Sequence, residues 1–160
     1  LLDPTWRPPA RLDLVRVGTL SKTLGSLGGF VAASRAVIDL LVNRARPFIF
    51  TTGPTPADTA AALAALAILR SAEGEELITR LRSHVDRIRT GHSSPIVPVI
   101  IGSERDAMAA ADRLLDDHGL LVPAIRPPTV AEGTCRLRVT LSSVHTADEV
   151  DCLAKALADF

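Results

Sequence analysis

The sequence predicts an α/β fold, in which part of a larger mixed sheet is followed by a small α+β domain. Three observations lead to this prediction. Residues 14–52 hold short apolar runs typical of strands, but too few of them to complete a sheet. Helical periodicity covers residues 57–94. Residues 95–160 then follow a strand and helix pattern in the order β-α-β-β-α.

Composition indicates a folded domain. Of the 160 residues, 47% are apolar and 22% are charged, close to the globular average. The 18 Lys and Arg residues balance the 18 Asp and Glu residues, which argues against nucleic acid or an anionic membrane as partner. No apolar run is long enough to span a bilayer and no signal peptide opens the chain, so we expect a cytoplasmic protein. Because the chain begins without Met, we also expect a fragment.

The first part of the chain is predicted to contain three strands and one helix. Apolar runs at 14–20 and 28–33 indicate buried strands. Ser34 is placed to cap a helix that ends near Asn43. A third strand is predicted over residues 48–52, where the sequence is FIFTT.

The helical stretch has a clear start signal. Thr55 is a good N-cap, Pro56 suits the first helical position, and Asp58 completes a variant of the capping box. The apolar periodicity pauses at Gly74 and then resumes. We therefore predict one long helix, bent near Gly74.

The last part of the chain carries signals for five elements. Ser103 is expected to begin a helix that Gly119 ends in the left-handed conformation. Thr146 and Glu149 form a full capping box for the final helix. The predicted strands cover 95–101, 120–125 and 135–141.

Several polar residues in this part have ordinary structural interpretations. Arg136 and Arg138 alternate along a strand and are expected to be salt-bridged or solvated. His145 precedes a helix cap and is expected to be structural. Cys135 and Cys152 are too few for a disulfide framework and are predicted to lie in the core. The histidines lack a second ligand at useful spacing, so no metal site is predicted.

The segment from Gly18 to Gly29 carries the clearest chemical signal. Lys22 follows an apolar strand and lies between Ser21 and Thr23, with glycines directly after it. A desolvated lysine becomes a nucleophile, and nearby hydroxyls can donate to an anionic group. Pyridoxal phosphate (PLP) requires both, an amine at one end and a phosphate site at the other. The alternative is a surface lysine in a Gly/Ser loop.

Three other segments carry motifs in a fixed order. These are FIFTTGPTP at 48–56, VPAIRPPTV at 122–130 and GTCRLRVTLSSVHT at 133–146. With the lysine segment, they resemble the α-oxoamine synthases, PLP-dependent transferases with the aspartate-aminotransferase fold. The resemblance covers nearly the whole chain and implies the C-terminal part of that fold.

The resemblance also implies roles for residues near the cofactor. Lys22 matches the lysine that binds PLP covalently and later transfers a proton. Thr19 matches a ligand of the PLP phosphate, and Ser21 supplies a further hydroxyl contact. Thr51 and Thr52 match a segment that reaches the PLP phosphate of a neighbouring subunit, which implies a homodimer with a shared site.

Arg126 matches the arginine that binds the carboxylate of the amino-acid substrate. A guanidinium suits this task because its planar N–H groups bind both carboxylate oxygens. The family reaction is a decarboxylative condensation of an amino acid with an acyl thioester. The last two segments favour L-alanine and a pimeloyl thioester of CoA or acyl carrier protein, as in biotin biosynthesis. The alternatives are glycine C-acetyltransferase, another α-oxoamine synthase, or an inactive, dimer-forming module.

The resemblance further implies a domain division. Residues 1–56 match the end of the PLP-binding large domain, 57–94 a connecting helix, and 95–160 the small C-terminal domain. In this family, the ring-stacking His and the Asp that pairs with the pyridine nitrogen precede the lysine by tens of residues. Only 21 residues precede Lys22, so we expect the isolated chain to bind PLP poorly and to be inactive.

Overall fold

The computed structural model describes residues 12–160, which divide into two compact units. The first unit ends at Gly74, and the second covers Glu75–Phe160. Residues 1–11, which belong to the predicted large-domain portion, lie outside the described residues. In the described part of the chain, none of the helices has the length and apolarity needed to traverse a bilayer.

The first unit opens with an antiparallel hairpin and continues with helices. The hairpin pairs β1 with β2 so that Thr19 lies opposite Gly29. This confirms both predicted strands in shortened form. Their predicted burial is wrong, because every residue of β2 is exposed and Val17 of β1 is 77% exposed. The helix expected after Ser34 is present, but the side chain of Ser34 forms no cap hydrogen bond. The elements are β1 (Arg16–Thr19), β2 (Gly29–Ala32), α1 (Arg35–Arg44), α2 (Arg46–Ile49) and α3 (Pro56–Leu69).

The strand predicted over residues 48–52 is wrong. Arg46–Ile49 form the short helix α2, and the amide of Phe50 donates to the carbonyl of Arg46 at 3.0 Å. Pro47 lies in the first turn of this helix. Its ring fixes φ near the helical value and removes a sheet donor, which outweighs the strand preference of the aromatic residues around it.

The prediction of a single long helix is also wrong, because the chain folds as two helices, α3 and α4 (Ala72–Ile88). The hydroxyl of Ser71 donates to the carbonyl of Ile68 at 2.7 Å and accepts from the amide of Gly74 at 3.4 Å. Ser71 thus ends one helix and begins the next. A Cβ at Gly74 would lie 2.4 Å from the carbonyl oxygen of Ile68, so the break requires glycine.

The second unit has the predicted β-α-β-β-α order after α4. Its antiparallel sheet has the strand order β3-β5-β4, and β4 is much shorter than predicted. The helix caps at Ser103, Gly119 and Thr146 are confirmed, and φ at Gly119 is 68°. The elements are β3 (Ile96–Gly102), α5 (Glu104–His118), β4 (Ala124–Ile125), β5 (Cys135–Thr140) and α6 (Ala147–Leu157).

One hydrophobic core fills the second unit. Leu114 of α5, Val97 of β3 and Leu137 of β5 are fully buried in it. Cys135 is buried as predicted, but Cys152 is exposed. The inner face of α6 is formed by Val150, Leu153 and Ala156, and helical spacing places Cys152 off that face.

Candidate active site

The lysine lies in the loop that joins β1 to β2, residues 20–28. The loop is closed by a hydrogen bond of 2.9 Å from the amide of Leu20 to the carbonyl of Gly28. Inside it, the amide of Gly25 donates to the carbonyl of Lys22 at 3.0 Å, and Gly25 has a φ of 57°. The side chain of Lys22 is exposed, so the expectation of a desolvated lysine is wrong for the described residues. Its primary amine is open to a reacting carbonyl group.

Two hydroxyls lie directly before the lysine. Thr19 Oγ1 and Ser21 Oγ are hydrogen-bonded at 2.8 Å, and the amide of Ser21 donates to Thr19 Oγ1 at 3.2 Å. Because one of the two hydroxyls donates to the other, the other keeps a proton for an external acceptor. The loop therefore brings Thr19, Ser21 and Lys22 together as a donor set that fits an anionic group and an amine-reactive carbonyl.

Ser26 is a site-supporting residue that the sequence analysis missed. It is buried, and its hydroxyl donates to the backbone carbonyl of Asp58 at 2.6 Å. The bond attaches the lysine loop to the first turn of α3. Since 32 residues separate the two partners, no local sequence pattern predicts this hydrogen bond.

Close backbone approach fixes the base of the hairpin. A Cβ at Gly18 would lie 2.4 Å from ring carbons of Phe30. A Cβ at Gly29 would lie 2.9 Å from the carbonyl oxygen of Gly18. The backbone contact makes glycine a steric requirement at Gly29, whereas at Gly18 the exposed ring of Phe30 would have to move.

Thr51 and Thr52 lie in the exposed segment between α2 and α3, in the same unit as Lys22. The hydroxyl of Thr51 donates to the carbonyl of Thr52 at 3.5 Å, which is a weak contact. Among residues 12–160, no hydrogen bond joins either threonine to the lysine loop. The structure thus leaves both hydroxyls accessible without connecting them to Lys22.

Arg126 lies in the second unit, in the loop after β4. Its Nη1 donates to Oε1 of Glu104 at 2.7 Å, and its carbonyl accepts from the amide of Thr129 at 3.0 Å. The side chain is about half exposed. The sequence analysis predicted Arg126 but missed Glu104, which lies 22 residues earlier on another element.

The open face of the sheet carries a groove of about 400 Å³. The register of the sheet places Pro98 opposite Arg138 and Ile125 opposite Arg136. Within the described part of the chain, neither arginine forms an ion pair, and Arg136 Nε donates to the carbonyl of Thr134 at 2.9 Å. The groove therefore has a positive lining and suits an anionic group. It is lined by Ser94, Ile96, Pro98, Ile125, Thr129, Arg136 and Arg138.

His84, which is buried, and the partly buried His145 have a structural role. His145 Nδ1 accepts from the amide of Ser142 at 3.1 Å, and the carbonyl of Ser142 lies 3.1 Å from Nδ1 of His84. Both backbone groups of Ser142 are thereby satisfied at the turn before α6. The structural interpretation of His145 agrees with these contacts.

Residues 8–157 match the profile of the class I and II aminotransferases. The chain belongs to this family. The resemblance found in the sequence, and the expectation of a C-terminal part of the fold, are thus confirmed.

Curated members of the family resemble the chain over nearly its whole length. An 8-amino-7-oxononanoate synthase of Methylorubrum populi is 50% identical and covers 99% of the chain, and one of Methylobacterium nodulans is 50% identical and covers 91%. The aligned regions are 40% and 39% of these relatives. The chain thus spans about two fifths of the length of the relatives it matches.

Solved structures of the family give the same picture. A serine palmitoyltransferase from S. paucimobilis with bound PLP has a TM-score of 0.76 and 28% identity, over 89% of this chain and 38% of its own. An 8-amino-7-oxononanoate synthase from Francisella tularensis has a TM-score of 0.74 over 91% of this chain and 45% of its own. At 24% identity, the latter supports the fold alone.

Proposed function

We propose that the chain is the C-terminal part of a PLP-dependent acyltransferase that condenses L-alanine with a pimeloyl thioester, with loss of CO2, in biotin biosynthesis. The supporting observation is the lysine loop, where an exposed amine directly follows two hydrogen-bonded hydroxyls. The chain that carries this loop is itself 50% identical to relatives named 8-amino-7-oxononanoate synthase. The acyl carrier is CoA or acyl carrier protein.

Each site residue has one task in this proposal. Thr19 and Ser21 hold the phosphate of the cofactor, and Lys22 binds its carbonyl carbon. When bound, PLP would supply an electron sink for the α-carbon of the amino acid. The amine of Lys22 moves the proton at this α-carbon, and Arg126 binds the substrate carboxylate through two N–H groups.

In the same proposal, the hydroxyls of Thr51 and Thr52 donate hydrogen bonds to the cofactor phosphate of a neighbouring subunit. Their exposure in the segment between α2 and α3 supports such a role. The active enzyme is then a homodimer with a shared site. The proposal includes that the isolated chain is inactive, because it spans about two fifths of its relatives' length and the family resemblance assigns no residue of this chain to the ring-stacking His or to the Asp that pairs with the pyridine nitrogen.

The two lysines of the chain provide a matched test. In a protein of full family length that carries this chain, borohydride reduction in the presence of PLP should label the peptide holding Lys22. Lys22→Ala should lower kcat by at least about 10²–10⁴-fold, because the base is lost. Lys155→Ala, on α6, is the control and should leave kcat unchanged. Label on Lys155, or none at saturating PLP, would show the assignment of Lys22 to be wrong.

Substrate choice is tested on the same protein. L-alanine with pimeloyl-CoA or pimeloyl carrier protein should release free thiol and CO2, whereas glycine with acetyl-CoA should not. The reverse result would identify the protein as a glycine C-acetyltransferase instead.

A second candidate, an inactive module that forms dimers, is supported by helix α3. None of its residues is buried, and Leu63, Leu66 and Ile68 are exposed. Mixing the chain with the N-terminal part of a relative separates the two candidates. Recovered PLP binding supports the enzyme, and a dimer that never binds PLP supports the module.

A further inference from the structure

Glu104 and Arg126 form an ion pair that joins the first residue of α5 to the loop after β4. Glu104 Oε1 lies 2.7 Å from Arg126 Nη1, and both side chains are about half exposed. A half-exposed ion pair contributes little to stability. The functional importance of this pair depends on which nitrogen atoms of Arg126 donate to Glu104 and which do not.

The position of Glu104 is fixed by the start of α5. Ser103 is the N-cap and accepts from the amide of Asp106 at 3.1 Å. The carboxylate of Asp106 in turn accepts from the hydroxyl of Ser103 at 2.7 Å. Of the two acidic residues in this turn, Asp106 is thus engaged by the cap, while Glu104 reaches Arg126.

Arg126 retains an unused edge. A guanidinium offers five N–H donors in one plane, and Glu104 accepts from Nη1 alone. In residues 12–160, nothing accepts a hydrogen bond from Nε or Nη2 of Arg126. These two atoms carry parallel N–H bonds, the arrangement that binds both oxygens of one carboxylate.

We propose that Glu104 is a positioning residue for substrate binding. It holds Nη1 of Arg126 and leaves the Nε–Nη2 edge for the carboxylate of the amino acid. The inference rests on the proposed function, in which Arg126 binds this carboxylate. Because Glu104 already restricts a side chain with many rotamers, less conformational entropy is lost when the substrate binds. Its negative charge opposes binding, but exposure to water weakens that repulsion.

Two substitutions separate orientation from charge. They are made in the full-length protein with PLP bound. Glu104→Ala removes the acceptor and should raise KM for L-alanine about threefold, with kcat unchanged. Glu104→Gln keeps an acceptor oxygen without the charge and should leave KM close to wild type. Calorimetric titration with L-alanine, without the thioester, should show the same pattern in Kd.

Glu132→Ala is the matched control, since it removes an exposed carboxylate that has no hydrogen bond to Arg126. It should leave KM and Kd unchanged. The inference is overturned if Glu104→Ala leaves both constants unchanged, or if the Ala and Gln variants shift them equally.

Arg126→Ala distinguishes failure of this inference from failure of the proposed function. A large rise in KM with Arg126→Ala, and no further rise when Glu104→Ala is added, supports Glu104 acting through Arg126. A large rise in KM with Arg126→Ala, but none with Glu104→Ala, overturns the inference alone. An unchanged KM with Arg126→Ala overturns the carboxylate role of Arg126 and the inference with it.

Discussion

The two units differ in how they bury apolar residues. In the second unit, Val97, Leu114 and Leu137 are fully excluded from solvent. In the described part of the first unit, only Ser26 and Gly74 are buried, while Phe30 and Leu63 are 51% and 63% exposed. The candidate lysine thus lies in the unit whose described residues, 12–74, form no core of their own.

This contrast indicates where each unit obtains its stability. Burial of apolar surface provides about 25 cal/mol per Å², and the second unit secures this within its own residues. The first unit gains little of it within the described residues, and the chain spans about two fifths of the relatives it matches. We therefore expect the conformation of the lysine loop to depend on packing against protein surface beyond this chain. The second unit should be stable without such packing.

The strongest test of the contrast is truncation of one leucine in each unit. Leu114→Ala leaves a cavity in the core and should lower the free energy of unfolding by about 2–5 kcal/mol. Leu63→Ala, on exposed α3, should change it by no more than about 0.5 kcal/mol. Urea unfolding followed by circular dichroism measures both. Equal losses would mean that α3 packs as tightly as the core.

Gly74 tests the close contact between the start of α4 and the end of α3. Gly74→Ala places a Cβ against the carbonyl oxygen of Ile68 and should cost about 1–3 kcal/mol. Gly53→Ala is the control, because nothing lies within 4 Å of its added Cβ. If thermal unfolding shows the same midpoint for both variants, the break between α3 and α4 is not a steric requirement.

Helix caps provide a smaller contrast between the units. Thr146 accepts from the amide of Glu149, so Thr146→Ala should destabilise the chain by about 1 kcal/mol. Ser34 precedes α1 without a side-chain cap bond, so Ser34→Ala should have almost no effect on the unfolding midpoint. A comparable loss in both variants would contradict the observed cap geometry.

The smallest expected effect is a pH dependence at α6. Hydrogen bonding from the backbone of Thr146 lowers the pKa of Glu149 below its usual 4.5, with help from the Thr146 hydroxyl. A lowered pKa adds stability that is complete above the unfolded-state pKa and disappears as the pH falls through the folded-state pKa. Unfolding midpoints measured on acidification from about pH 5 should therefore fall less for Glu149→Gln than for wild type.

The sequence predicts best those elements whose causes are local. The caps at Thr55, Ser103 and Thr146 need only neighbouring residues, and the alternation from Cys135 to Thr140 places one face in the core. The strand predicted at 48–52 failed because Pro47 favours a helical turn over the strand preference of its neighbours. Cys152 was misplaced because its position on α6 depends on the helix's orientation to the core.

The candidate site divides in the same way. Lys22, Thr19 and Arg126 stand within recognisable motifs, so the sequence alone suggests them. Ser26 and Glu104 act through partners 32 and 22 residues away, and only the folded chain brings these pairs together. Motifs thus indicate the groups that we propose to contact ligands, while the residues that hold those groups depend on tertiary structure.

The hydrogen bond from Ser26 to Asp58 makes the lysine loop share its motions with α3. The loop cannot separate from the first turn of α3 unless this bond breaks. We therefore expect the amide protons of Leu20 and Ser26, which close the loop, to exchange with solvent faster when the bond from Ser26 to the start of α3 is removed. A change at the helix start would reach Lys22 as an altered opening rate, with no contact to the lysine itself.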